Sequence, residues 1–177
     1  MTEVWLRSNR RVLLVAMAPV VVLGFFGLVM WQTDLLPLPG QLGALCIVAA
    51  ALLLAGLIHQ LRQPRVAYRD GSVLFYLKAG APIHVPVGVV EGFFLGQGPA
   101  HLPGNSRNET KMVNLIARLS QREPQWQQRN VKAALGTWSE GYVTIHGTWC
   151  EPLTTDVIRR LNQRLREVTQ EQSASTE

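Results

Sequence analysis

Hydrophobic patterning divides the chain into two unlike parts. Val12–Trp31 and Leu42–Leu61 contain no Lys, Arg, Asp or Glu. Each is close to the roughly 20 helical residues that cross a hydrocarbon core, so the pair predicts two membrane spans, helices at about 12–31 and 42–61. Pro19 falls inside the first, a position that membrane helices tolerate when neighbouring groups satisfy the freed backbone. The segment between them, Gln32–Gln41, holds Pro37, Pro39 and Gly40, which are turn formers. A signal peptide does not fit. The first run is longer than the usual apolar region of about 7–15 residues, and a second run follows it. No small-x-small cleavage pattern follows Trp31.

After Arg65 the period shortens. Val66-Ala67-Tyr68 and Ser72–Lys78 flank Arg69-Asp70-Gly71, and Asp-Gly between strand formers is a strong hairpin signal. Val73–Leu77 is apolar on both faces, as in a strand covered on both sides. Ile83, Val85, Val87 and Val89 alternate within Pro82–Leu95, while Pro86 and Gly88 confine that piece to an edge or a bulge. Val89–Leu95 continues as a strand, Gly96–Thr110 reads as a long loop, and Met112–Leu119 resumes strand character. Ser120–Asn130 is polar, with Trp126 its lone large apolar residue; short strands follow at Val131–Leu135 and Tyr142–Trp149. Pro152–Gln170 is helical, because Leu153, Val157, Leu161, Leu165 and Val168 form one stripe, with Thr154 or Thr155 as N-cap and Asp156 in the first turn.

The resulting division is a transmembrane helical hairpin over 1–65, a soluble α+β domain over 66–171 and a disordered tail over 172–177. This order resembles the bacterial pleckstrin-homology-like membrane proteins. The likeness is carried by the hairpin, by Arg65-Val66-Ala67-Tyr68-Arg69-Asp70-Gly71-Ser72 and by Ile83-His84-Val85-Pro86-Val87. The resemblance implies a curved antiparallel sheet, or partial barrel, closed at one end by the C-terminal helix. It brings no catalytic residues with it. Gly96–Thr110 and the tryptophan-bearing Gln125–Trp138 depart from the family rhythm.

Charge sets the orientation. Arg7, Arg10 and Arg11 precede the first span, Arg62, Arg65 and Arg69 follow the second, and the loop between has no Lys or Arg. The positive-inside rule then puts both termini in the cytoplasm, at a cell membrane crossed twice. Asn108-Glu109-Thr110 matches a glycosylation sequon but falls on the cytoplasmic side, where it is not modified. Arg10, Arg11, Trp31, Arg62 and Arg65 are the expected interface anchors, with Trp5 a further candidate. Gly43, Ala44, Ala50, Ala51, Ala55 and Gly56 leave room for close helix approach.

The net charge of +5 sits beside the spans and along the C-terminal helix. No nucleic-acid motif accompanies it, so nucleic acid is not an expected partner. Arg107, Arg159, Arg160, Arg164 and Arg166 are candidate contacts to a protein or to anionic lipid headgroups, where a basic residue is worth about 1 kcal/mol.

Chemistry-bearing motifs are sparse. His146 and Cys150 stand four apart, running from a strand into a turn, and neither a CxxC nor an HExxH appears. A metal or other cofactor is therefore not expected. Cys150 lies just before a helix N-terminus and could serve as a nucleophile with His146 as base. Gly96-Gln97-Gly98-Pro99 lacks phosphate-loop spacing and reads as a turn. Cys46 and Cys150, one in a span and one in the domain, do not suggest a disulfide. The leading expectation is a non-enzymatic interaction or scaffold module held at the cytoplasmic membrane face, bound to another membrane or cytoplasmic protein. The alternatives are a small membrane enzyme or redox protein using Cys150 and His146, and a structural subunit of a larger membrane complex.

Overall fold

The computed structural model describes residues 2–32, 40–78, 80–99 and 111–174. The chain divides into two compact units. One is the helical segment Arg10–Gln63; the other joins Met1–Asn9 to Pro64–Glu177.

The helical unit comprises α1 (Arg10–Gln32) and α2 (Gly40–Arg62). Each contains a stretch long and apolar enough to cross a membrane, Leu14–Gln32 and Leu42–Gln60. They pack antiparallel through small residues. A Cβ added to Gly27 would lie 2.9 Å from that of Cys46, and one added to Gly43 would lie 2.9 Å from the Gly27 carbonyl oxygen. At these two glycines the backbones approach as closely as small-residue membrane pairs do. Gly56, by contrast, has nothing within 4 Å of its Cβ position. Away from this seam the apolar side chains are bare: Val15 is 75% exposed and Leu52 69%.

The second unit is α+β. One antiparallel sheet orders β1 (Glu3–Leu6), β2 (Val66–Arg69), β3 (Ser72–Phe75) and β4 (Ile83–Pro86). The other orders β5 (Val90–Pro99), β6 (Lys111–Leu119), β8 (Tyr142–Ile145) and β7 (Gly136–Ser139). α3 (Thr155–Ala174) packs against β5 and the 3-10 turn Val87–Val89. The curved sheet, or partial barrel, that the resemblance implies is here two sheets and is not closed. Pro86, which lacks a ladder donor, ends β4, and the 3-10 turn redirects the chain into β5.

Two hairpins share one device. Asp70 and Gly71 (φ 48° and 74°) join β2 to β3, and Glu140 and Gly141 (φ 54° and 77°) join β7 to β8. Two consecutive positive φ values match the right-handed twist of the flanking strands. Val66, Val73, Phe75, Val85, Phe93, Leu115, Ala117, Val143 and Ile145 fill the core with Leu161, Leu165 and Val168 of α3. Ring contacts bridge the two sheets: Trp5 meets Phe93 edge-on at 6.2 Å, and Phe75 meets Trp138 at 5.7 Å. Thr154 is the N-cap, its Oγ1 accepting the Val157 N–H at 3.4 Å.

Several sequence expectations change here. Residues 2–9, expected within the hairpin, belong to the α+β unit, where they supply β1. Trp5 is buried, stacked on Tyr68 at 5.5 Å, and is not an interface anchor. Gly96–Pro99 is not loop but the end of β5, paired with β6, because the missing side chains of Gly96 and Gly98 leave space for Ile116 and Asn114. Residues 100–110 lie outside the described residues. Val131–Leu135 forms a turn, with the strand placed one step later at Gly136–Ser139. α3 runs on through Ala174, into the segment expected to be disordered.

Leu6 is fully buried in β1 and so tests whether the segment before the first span is structural. Leu6→Ala is expected to cost about 2–5 kcal/mol of domain stability. Denaturant unfolding followed by tryptophan fluorescence measures it; an unchanged midpoint would remove β1 from the core.

Candidate functional site

The chain leaves the α+β unit after Asn9 and re-enters it at Pro64. The first flank is stitched to the segment before α3. The Asn9 N–H donates to the Trp149 carbonyl at 3.1 Å, and the Glu151 N–H donates to the Arg7 carbonyl at 3.0 Å. Asn9 Nδ2 donates to the Thr148 carbonyl at 3.1 Å, and Ser8 bridges to Cys150.

The second flank converges on the same place. The Arg65 N–H donates to the Leu6 carbonyl at 2.8 Å, and Arg65 Nε donates to the Trp149 carbonyl at 3.1 Å. One carbonyl therefore accepts from both connections. Arg65 is only 2% exposed, which corrects its assignment as a membrane-interface anchor. Its cation is committed to the protein interior, and burial pulls its pKa below the usual arginine range. Arg10 opens α1 and Arg62 closes α2, while Arg11, Trp31 and Arg62 are exposed.

The arginines of α3 are already paired. Arg159 meets Asp156 at 2.9 Å, Arg160 meets Glu151 at 3.2 Å, and Arg164 bridges Glu3 at 2.7 Å and Glu167 at 2.5 Å. The hydrogen bonds that Arg164 donates to Glu3 and Glu167 hold its pKa above the ordinary value. Arg166 is exposed, and Arg107 lies outside the described residues. Arg160 and Arg164 line a cavity of about 130 Å³ with Glu3, Val4, Trp5 and Leu161, between β1 and α3. The structure thus brings two of the predicted arginines together, but with acids from β1 (Glu3), from the segment before α3 (Glu151) and from α3 itself (Glu167). Glu3 is not legible as a partner in the sequence, because residues 1–9 precede the helices and have no evident place in the domain. The run Val4-Trp5-Leu6 was the available signal.

Cys150 and His146 are both buried but do not form a nucleophile and base. Cys150 Sγ donates to the His146 main-chain oxygen at 3.5 Å, and His146 Nδ1 lies 3.3 Å from the Ala134 carbonyl. Burial pushes the Cys150 thiol up to about 12, against the opposing pull of Arg65. Such a thiol is almost wholly protonated at neutral pH. Among the described residues no group of three or more His, Cys, Asp or Glu side chains is arranged to hold a metal. His84 projects from β4 to solvent, and His101 lies outside the described residues.

The thiol supplies a test of this geometry. Its pKa rises from 9.0 unfolded to about 12 folded, so the fold retains that proton more tightly. The associated stability is fully present below about pH 9 and is lost as pH climbs toward 12. Between about pH 8 and about pH 10 the native chain should lose roughly 1 kcal/mol more than Cys150→Ala does. Parallel urea titrations of the two proteins give the difference; equal pH slopes would mean a solvated thiol.

Comparison of the chain with family models, with curated proteins and with solved structures finds no match in any of the three.

Proposed function

We propose that the chain is a membrane-anchored, non-enzymatic interaction or scaffold module that presents a pleckstrin-homology-like domain at the cytoplasmic face of the cell membrane. The observation that carries this reading is the apolar exterior of α1 and α2. Phe25 is 67% exposed, and such surfaces need a bilayer or equivalent apolar cover. Two antiparallel sheets about one core, with α3 packed against β5, support the domain assignment. The arginine flanks support the cytoplasmic placement.

Pairing of Arg159, Arg160 and Arg164 with carboxylates weakens the case for lipid headgroups as the main ligand. It favours a protein partner. A buried, protonated Cys150 gives no support to the enzyme or redox alternative.

Topology is testable with a cysteine at Gln163, an exposed position on α3, in a Cys46→Ser background. An impermeant maleimide is expected to label Gln163→Cys only after the membrane is disrupted. Labelling in intact cells would overturn the cytoplasmic placement. The module reading itself predicts co-purification of specific proteins in mild detergent, identified by mass spectrometry. Recovery of the chain alone from every detergent, with no enriched protein, would count against it.

A further inference from the structure

Among the described residues, the outer edge of β5 is occupied at one residue and unpaired beyond it. Asn162 of α3 pairs with Phe93 as a neighbouring strand would: the Phe93 N–H donates to Asn162 Oδ1 at 2.8 Å, and Asn162 Nδ2 donates to the Phe93 carbonyl at 2.8 Å. Phe93 therefore directs its peptide groups away from β6. In an antiparallel ladder that direction alternates with each residue. Leu95 and Gln97, opposite Leu115 and Val113 in an unbroken register, direct theirs the same way. Neither has a backbone hydrogen bond to another element among the described residues. Pro99, next in the series, has no N–H to offer.

The open window is consequently symmetric. Gly96 is its centre, and three residues away on either side stand an occupied position, Phe93, and a donorless one, Pro99. We propose that this edge pairs with the same edge of a second copy of the chain, antiparallel about a two-fold axis at Gly96. Leu95 then exchanges two backbone hydrogen bonds with Gln97 of the second copy, and Gln97 does the same with its Leu95. Gly96 faces its own counterpart at the closely spaced, non-bonded position.

Side chains suit this register. Phe94 is half exposed and comes opposite Gly98 of the second copy, where it meets the Asn114 side chain that occupies the space of the missing Cβ. Leu95 is 39% exposed on the other face, beside Val113 at 42%. Gly92–Pro99 carries no charge, so a self-paired strand meets no like charge. It also lacks the lysine or inward charge with which edges are commonly guarded. Pro99 stops the ladder where a longer partner would collide with Asn162. The contact is smaller than the roughly 1,200 Å² typical of stable soluble interfaces. It draws on confinement to a membrane, and to that extent it rests on the anchoring reading above.

The test uses the full chain in native membranes. In a Cys46→Ser background, Leu95→Cys with Gln97→Cys places thiols at directly opposed positions, within disulfide reach across the two-fold. Mild oxidation of the membrane fraction is expected to give a linked dimer, whereas Cys150 alone gives none. Gln97→Pro removes an outward N–H without touching the β5–β6 ladder and should weaken the detergent-solubilised dimer about tenfold or more. Failure to cross-link in membranes, or a dimer indifferent to Gln97→Pro, overturns the proposal. Should Gln97→Pro fail to fold, the cross-link alone decides. A chain recovered in the soluble fraction would instead refute the anchoring reading, which keeps the two failures apart.

Discussion

The Trp149 carbonyl is the point on which the architecture turns. It receives the Asn9 N–H from the chain about to enter the hairpin and Arg65 Nε from the chain that has just left it. A neutral acceptor shared between a backbone donor and a buried guanidinium is costly to leave unmade, because each group would lose a partner without regaining water. Around it, Ser8, Cys150, Thr148 and Glu151 add a short ladder. The residues at which the chain leaves and re-enters the α+β unit, Asn9 and Arg65, therefore share one acceptor within that unit.

The same region explains what happens to the basic charge. Read along the chain, four arginines on one helix suggest an electrostatic surface. In the fold, Glu3 of β1 reaches Arg164 and Glu151 reaches Arg160, so charges distant in sequence neutralise each other at the helix. Partly exposed pairs of this kind contribute modestly to stability. Their larger consequence is that α3 offers less free positive charge than its composition implies. Arg65 is the extreme case, a flanking arginine turned entirely inward.

Legibility followed the length and repetition of each signal. Two uncharged runs were plain, as were the stripe of α3 and the Asp70-Gly71 turn, because each rests on a period or on a residue pair with a steric reason. β1 was not. Four residues ahead of an arginine cluster carry too little pattern, and their partner strand lies beyond the whole hairpin, where no local rule reaches. Gly96–Pro99 misled for the opposite reason. Its composition is that of a turn, yet Gly96 and Gly98 are there to admit neighbouring side chains into a continuing strand. His146 and Cys150 had suggestive spacing, but their main-chain path spends the thiol on a carbonyl and buries it.

Placing β1 before the hairpin makes the α+β unit discontinuous in sequence. β1 cannot find its neighbour until residues 66–69 have been synthesised, so it waits through the making of both helices. Closing a loop that long carries an entropic cost that grows only slowly with length. The antiparallel pairing of α1 and α2 offsets part of it, because Arg10 and Arg62, the outer ends of the two helices, lie at the same end of the pair. The unit is complete only once the chain on both sides of the helical segment is present.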